Sequence, residues 1–179
     1  MRTLAYFDEQ TVGFVNSIRK PLLNKFFIFI SYFGAGDVIF FIAAAVSIFL
    51  ILRIGKENIL KLWIALIGAI LSMSVLKLVI QRPRPLDGIT EEPSFSFPSA
   101  HAVLSAAFYG FILYLILRSD SSRAVKFIFS VGLSFLIILI GFSRLYLGVH
   151  YLSDVIGGYI LGGLWLFVGI KLGKLKNSK

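Results

Sequence analysis

The sequence predicts an all-α integral membrane protein, a bundle of five transmembrane helices (six if residues 22–34 also cross) with amphipathic or interfacial helices at its N-terminus. Its 179 residues are 58% hydrophobic and only 15% charged, and the mean hydropathy is +0.88. Apolar runs of about 18 or more residues recur, and each is long enough for a hydrocarbon core of roughly 30 Å. The length suits one membrane-embedded domain over residues 1–179.

The N-terminal segment, residues 1–35, is predicted to lie in the membrane interface. Residues 1–20 mix apolar and charged side chains, which favours an amphipathic helix over a span. Residues 21–34 are apolar, but a helix of about 13 residues reaches only about 20 Å. We therefore expect a second helix here that is interfacial or partly inserted, and a sixth span only if this run is stretched across the bilayer.

Five longer apolar runs follow, and each predicts a transmembrane helix. They cover about residues 36–53, 58–80, 99–117, 124–142 and 155–173. One set of span ends collects basic residues, namely Arg53, Lys56, Lys61, Arg118, Arg123, Lys126, Lys171, Lys174, Lys176 and Lys179. By the positive-inside rule this side faces the cytoplasm, so segments 81–98 and 143–154 face outward.

The chain is strongly basic, with 18 Lys and Arg against 9 Asp and Glu. The basic residues lie at span ends and form no continuous stripe. They therefore indicate topology and headgroup contacts, and they exclude a nucleic-acid binder. No cysteine is present, which excludes a disulfide and a thiolate nucleophile. The bilayer is the expected environment, and no obligatory protein partner is evident.

The first polar cluster closes the second span, in KLVIQRPRP. Lys77 lies inside the apolar run and Arg84 follows two helical turns later, so both side chains are expected to converge on one anion. The alternative is that each basic side chain merely extends to the membrane surface.

The second cluster opens the third span, in FPSAHAVLSAAF. Pro98 is predicted in the first helical turn, which places Ser99, Ala100 and His101 at the unpaired N–H groups of the helix start, a favourable phosphate site. Ser99 is alternatively a plain helix cap. A histidine at the mouth of a span has few structural uses.

The third cluster is SRLYLGVHYLSD, residues 143–154. His150 and Asp154 are four residues apart, so on a helix the carboxylate accepts a hydrogen bond from the imidazole and makes its other nitrogen more basic. Arg144 lies six residues before His150, roughly 600° of helical rotation. We therefore expect residues 143–149 to leave regular helix or to turn sharply, with Gly148 as the break. Taken alone, the pattern is explained equally well without a function, by an arginine whose side chain extends to the membrane surface and a histidine–aspartate pair that occurs by chance.

All three clusters lie at span ends, and the direction of the chain places these ends together on the outer side. They supply three cations, a serine, helix-start N–H groups, two histidines and a carboxylate. This set predicts phosphoryl transfer, in which a protein mainly positions and neutralises the phosphoryl group. The sequence has no carboxylate cluster or histidine pair at the spacing of metal ligands, so no metal or other cofactor is expected.

These motifs resemble the three-part signature of the type 2 phosphatidic acid phosphatase family, in the family's order. The matching positions are Lys77-x6-Arg84-Pro85, Pro98-Ser99-x-His101 and Ser143-Arg144-x5-His150-x3-Asp154. Ala100 stands where the family usually has glycine, and we expect it to narrow the space beside the phosphate without abolishing activity.

The resemblance also implies roles. His150 would attack phosphorus and form a phosphohistidine, Asp154 would orient His150, and His101 would protonate the leaving oxygen. The implied phosphate ligands are Lys77, Arg84, Ser99, Ala100 and Arg144. No metal would take part.

An outward site walled by apolar spans favours a lipid whose tail stays in the bilayer. The expected substrates are phosphatidylglycerol phosphate, undecaprenyl pyrophosphate, phosphatidic acid and the 1-phosphate of lipid A, and no residue selects among them. Glu91 and Glu92 would repel a further anionic headgroup if they face the site. The expected location is the bacterial inner (cytoplasmic) membrane, with the active site facing the periplasm or the cell exterior.

Two alternatives belong to other classes. A catalytically inactive lipid-binding or transport protein of the same fold would need the cations but neither His150 nor Asp154. A vanadate-dependent haloperoxidase shares the phosphate-site pattern, but such enzymes are soluble, and five hydrophobic spans argue against one.

Overall fold

In the computed structural model, which describes residues 2–53 and 56–173, the regular elements of the described chain are all α-helices. They are α1 (Arg2–Ser17), α2 (Pro21–Tyr32), α3 (Gly36–Arg53), α4 (Glu57–Ile80), α5 (Ala100–Arg118), α6 (Arg123–Tyr146) and α7 (Leu152–Leu172). The all-α prediction is confirmed. Lys174, Lys176 and Lys179, which contribute to the predicted topology, lie outside the described residues.

Helices α3 to α7 are long and apolar enough to cross a membrane, and each coincides with a predicted span. The largest difference is in α6, which continues to Tyr146 instead of ending near residue 142. Large apolar side chains lie exposed along these helices, among them Phe41, Leu52, Val79 and Phe127. Apolar surface of this kind suits contact with lipid, and the chain is an integral membrane protein.

Helices α1 and α2 lie at the end of the bundle that carries residues 81–99 and 147–151, which we call the loop end. The Tyr146 hydroxyl donates to Asn24 at 3.0 Å, and Arg144 donates to Ser31. Both α6 residues belong to its last turn, so early and late residues of α2 contact the same end of the bundle. Helix α2 therefore lies across this end, and the structure agrees with five spans.

Helix α5 is central and packs against α3, α4, α6 and α7. Two glycines of α7 permit its close approach: a Cβ atom at Gly158 would lie 2.7 Å from Cβ of Ala102, and one at Gly162 would lie 2.9 Å from Cβ of Ala106. Small residues four apart are typical of tightly packed membrane helices. Because the two helices are so close, the starts of α5 and α7 are adjacent at the loop end.

Candidate active site

The loop end contains polar side chains that are buried in an otherwise apolar bundle. They come from all three predicted clusters and include Lys77, Ser99, Arg144, His150 and Asp154. Removing such groups from water is unfavourable unless they are paired or serve a function. Their meeting at one end therefore marks this region as the candidate active site.

His150 and Asp154 form the best-defined pair of the site. Nδ1 of His150 lies 3.5 Å from Oδ2 of Asp154 and 3.3 Å from Oγ of Ser96. The Ser96 hydroxyl donates to the same carboxylate oxygen, and the Tyr151 amide donates to it at 2.9 Å. The Asp154 side chain is fully buried, so these donors hold it in one orientation.

The contacts of the His150 ring fix its tautomer. Since the hydroxyl proton of Ser96 is given to Asp154, both neighbours of Nδ1 can only accept, and Nδ1 must carry the proton. Nε2 lies 3.1 Å from Nη1 of Arg84, and a guanidinium can only donate. Nε2 is therefore the nitrogen with the free electron pair, and it faces a cation.

His150 is neutral at physiological pH. Burial lowers the pKa of its imidazole to about 4, although the hydrogen bond with Asp154 opposes this and the Arg84 and Arg144 charges add to it. A neutral ring is what a nucleophilic histidine requires, because the protonated ring has no electron pair at Nε2.

Lys77 and Arg84 meet on one acceptor, the carbonyl oxygen of Phe95. Lys77 donates to it through Nζ, and Nη2 of Arg84 lies 3.4 Å from it. Arg84 also donates to the carbonyls of Ser94 and Val149, both at 2.7 Å. Lys77 thus points into the protein and does not extend to the membrane surface, and both side chains converge beside His150.

Arg144, from the last turn of α6, is buried and donates to Ser31 of α2 and to the Glu92 carboxylate. Its Nε atom is buried without a partner. Glu92 thus faces the site, and Glu91, although exposed, lines the same open cavity as Arg84. The carboxylate occupies one edge of the guanidinium, so any anion that binds this edge would have to displace Glu92.

The turn between Arg144 and His150 differs from the expectation in its position. Residues 143–146 remain in α6, and the chain leaves the helix only at Leu147. Gly148 has a φ of +69°, a left-handed conformation that glycine adopts without strain. The predicted break at Gly148 is confirmed, and the chain leaves the helix and turns sharply within residues 143–149, although the first four of these residues still belong to α6.

The start of α5 also differs from the expectation. The helix begins at Ala100 with Ser99 in the N-cap position, so Pro98 precedes the helix and is not in its first turn. The Ser99 side chain makes no capping hydrogen bond, and its Oγ atom is buried without a partner. Its amide donates to the Asp154 carbonyl at 3.1 Å. The plain-cap interpretation therefore fails, and the hydroxyl remains available for a ligand.

His101 lies where two cavities meet. One is an apolar cavity of about 360 Å³, which Ile39, Trp63, Met73 and Leu104 help to line and which Ala100 also borders. The other, of about 240 Å³, is lined by His101 together with Arg144 and Glu92. His101 is therefore placed between an apolar compartment and the cationic part of the site.

The sequence profile of the PAP2 superfamily matches residues 57–177, a range that contains all three clusters. The chain belongs to the PAP2 superfamily. A phosphatidylglycerophosphatase B from Bacillus subtilis is 32% identical over 160 residues, which cover 84% of this chain and 75% of that protein. An undecaprenyl-diphosphatase from Sulfolobus acidocaldarius is 29% identical over 92% of this chain and 81% of its own length.

Solved structures agree with this membership. The crystal structure of a transmembrane PAP2-type phosphatidylglycerolphosphate phosphatase from Bacillus subtilis superposes with a TM-score of 0.89 at 29% identity, over 100% of this chain and 90% of the other. The crystal structure of Aquifex aeolicus LpxE superposes with a TM-score of 0.74 at 26% identity, over 92% of this chain and 94% of the other. The protein is thus a membrane enzyme of the PAP2 lipid phosphatases.

Three residues of the candidate site were missed by sequence reasoning. Ser96 lies in the Pro- and Ser-rich segment that connects α4 to α5. The composition of this segment indicated a functional loop, but it did not indicate which residue of the loop takes part. Arg82 donates to Asp154 at 2.6 Å, and Asp8 contacts Arg82. Both looked like ordinary charges of a surface segment, and only tertiary contacts reveal them.

Proposed function

We propose that this PAP2 enzyme hydrolyses a membrane lipid phosphate or diphosphate through a phosphohistidine formed on Nε2 of His150. The observation that carries the proposal is the orientation of the ring, because Asp154 and Ser96 hold Nδ1–H and leave Nε2 as the nucleophile beside Arg84. An inactive lipid binder would need the cations but not this arrangement.

In the first step, Nε2 attacks phosphorus, the N–P bond forms and the P–O bond to the lipid breaks. His101 gives its proton to the leaving oxygen. Water then attacks the phosphorus atom and gives a proton back to His101. A new P–O bond forms, the N–P bond to His150 breaks, and inorganic phosphate leaves. Lys77, Arg84 and Arg144 neutralise the phosphoryl oxygens, and the unpaired Ser99 hydroxyl supplies a further donor. These three cations take the part that a metal ion plays in other phosphatases.

Two cavities support a lipid as the substrate. The apolar cavity of about 360 Å³ reaches His101 from between α3, α4 and α5, and it suits part of an acyl or prenyl chain. An open polar cavity of about 730 Å³ borders Arg84 and suits the headgroup, the attacking water and the released phosphate. The cavity of about 240 Å³ borders His101, as the apolar cavity does, and Glu92, as the open cavity does. In this arrangement the scissile bond lies there, next to His101 and Arg144.

The first candidate substrate is phosphatidylglycerol phosphate, because the B. subtilis relative and structure that carry this activity in their names are similar over most of this chain. Undecaprenyl diphosphate is the second, supported by the S. acidocaldarius relative. We place the enzyme in a bacterial inner membrane with its loop end facing outward, and we treat residues 1–179 as one phosphatase domain.

The proposal is tested by measuring phosphate release from both lipids, phosphatidic acid and lipid A 1-phosphate in detergent containing a metal chelator. We expect turnover to persist with the chelator, phosphatidylglycerol phosphate to be preferred, and a phosphorylated protein to be trapped by a denaturing quench at alkaline pH, where the N–P bond of a phosphohistidine is stable. His150→Ala should abolish both the release of phosphate and the formation of the phosphorylated protein. Loss of turnover on chelation would contradict the metal-free mechanism, and turnover by His150→Ala would remove His150 as the nucleophile.

A further inference from the structure

The interfacial helix α1 reaches the catalytic carboxylate through one guanidinium group. Nη2 of Arg82 lies 2.7 Å from Oδ2 of Asp8, and its Nη1 lies 2.6 Å from Oδ1 of Asp154. Asp8 is 4% exposed on a helix whose neighbouring side chains are mostly exposed. An ionised carboxylate is buried in this way only where partners compensate it.

Ser153 completes the connection. Its hydroxyl accepts from Arg82 at 2.7 Å and donates to Asp8 at 2.7 Å, and its amide donates to the other oxygen of Asp8 at 2.9 Å. That amide is one of the unpaired N–H groups at the start of α7. Asp8 therefore caps, from α1, the helix that carries Asp154.

The two oxygens of Asp154 have separate partners. Oδ2 accepts hydrogen bonds from the Ser96 hydroxyl and the Tyr151 amide, and it faces His150. Oδ1 accepts a hydrogen bond from Arg82. Without Arg82, Oδ1 would lose its charged partner, and a tilt of the carboxylate would change the distance from Oδ2 to Nδ1 of His150. Without Asp8 the guanidinium would lose the second anchor of its planar fork.

We propose that Asp8 and Arg82 are positioning residues of the reaction, so that docking of α1 on the loop end completes the active site. This inference rests on the proposed phosphohistidine mechanism. Asp8, Arg82 and Asp154 together carry one net negative charge, which lies beside His150 and stabilises the positive charge that develops on its ring as the N–P bond forms. Asp8→Asn would remove this net charge and would also weaken the contact that holds the Arg82 guanidinium.

The test compares Asp8→Asn, Arg82→Lys and their double variant with Glu9→Gln, an exposed carboxylate on the same helix. We expect kcat to fall about tenfold in Asp8→Asn and up to roughly a hundredfold in Arg82→Lys, with KM within twofold because neither residue belongs to the phosphate ligands. The double variant should be slower than Arg82→Lys by much less than the roughly tenfold loss of Asp8→Asn, since the two residues share one contact and only the loss of the net charge adds to it. Glu9→Gln should keep wild-type kcat.

A second measurement separates positioning from folding. The kcat losses should be equal for a lipid and for p-nitrophenyl phosphate, because the nucleophile is affected and not the proton donor, and the thermal midpoint of each variant in detergent should exceed the assay temperature. Wild-type kcat in Asp8→Asn, multiplying losses in the double variant, a loss confined to KM, or a loss that follows the unfolded fraction would each overturn the proposal. Absence of phosphate release by the wild-type protein would instead reject the proposed function.

Discussion

Oγ of Ser96 contacts both members of the His150–Asp154 pair: it lies 3.3 Å from Nδ1 of His150, and it donates to Asp154. The serine therefore decides, together with the carboxylate, which ring nitrogen carries the proton. Its position in the segment before α5 links the nucleophile on one side of the site to the segment that leads to His101 on the other.

Replacing Asp154 with asparagine should lower kcat by about three orders of magnitude. The amide can donate to Nδ1, which would favour the tautomer with its proton on Nε2 and so remove the attacking electron pair; the corresponding change in a serine protease triad has an effect of about 10⁴. The measurement is initial phosphate release at saturating lipid. Asp120→Asn, which changes an exposed residue between α5 and α6, is the matched control, and a comparable loss in that control would void the interpretation.

The protonation of His150 can be observed directly, because the chain has only two histidines and His101→Asn leaves one. In ¹⁵N-histidine spectra of that variant we expect a neutral ring with its proton on Nδ1 from pH 8 down to about 5, and protonation only near a pKa of about 4. A ring that titrates near its usual value of about 6.5 would contradict the buried, neutral nucleophile.

The lowered pKa of His150 also makes the stability of the protein depend on pH. Because this pKa is lower in the folded protein than in the unfolded chain, the unfolded chain binds the proton first as the pH falls. The effect is absent above about pH 6.5, and stability should decrease as the pH falls from there toward 4. Thermal unfolding of the wild type and of His150→Gln across this range measures the effect. The difference between their thermal midpoints should be constant near neutral pH and should change as the pH falls toward 4.

The spans and the three clusters were predictable because apolar length and residue spacing are local properties of the sequence. Lys77, Arg84, Arg144 and His150 lie at span ends, and the direction of each span places those ends together. The packing that brings Ser99 against Asp154 follows from the small residues of α7, which the sequence shows without revealing their partner.

The rest of the site depends on contacts that spacing cannot reveal. Ser96 is one of several serines in the segment before α5, and Asp8 is one charge among several on α1. Their burial results from how α1 and this segment fold back over the loop end. The length of α6 was also unpredictable, because Ser143 and Arg144 look like the polar end of a span although they continue its helix.

The role of His101 should depend on the leaving group. If it protonates the leaving oxygen, His101→Ala should slow a lipid alkoxide by about 10²–10⁴ but p-nitrophenyl phosphate by much less, because nitrophenolate leaves without a proton. His150→Ala should abolish both reactions. Single-turnover rates with the two substrates measure the ratio, and equal losses in His101→Ala would show that His101 binds phosphate and does not donate the proton.

The apolar cavity beside His101 should determine affinity for the lipid tail. Met73→Trp would fill part of the cavity and should raise KM for a long-chain lipid phosphate about tenfold, while KM for p-nitrophenyl phosphate stays within twofold. Leu78→Trp, on the same helix but with Leu78 66% exposed on the bundle surface, is the control. If both tryptophan variants had the same KM for the lipid, the tail would have to bind elsewhere.

The turn at Gly148 should be intolerant of a side chain. Its φ of +69° is unfavourable for alanine by about 1–2 kcal/mol, and the added Cβ would lie 2.8 Å from the carbonyl oxygen of Asp87. Gly148→Ala should lower the thermal midpoint in detergent and also kcat, because Val149 and His150 follow directly. Gly132→Ala is the matched control within α6, where an added Cβ meets no atom within 4 Å and alanine favours the helix. If Gly148→Ala were as stable and active as Gly132→Ala, the left-handed turn would not be what presents His150 to the phosphate.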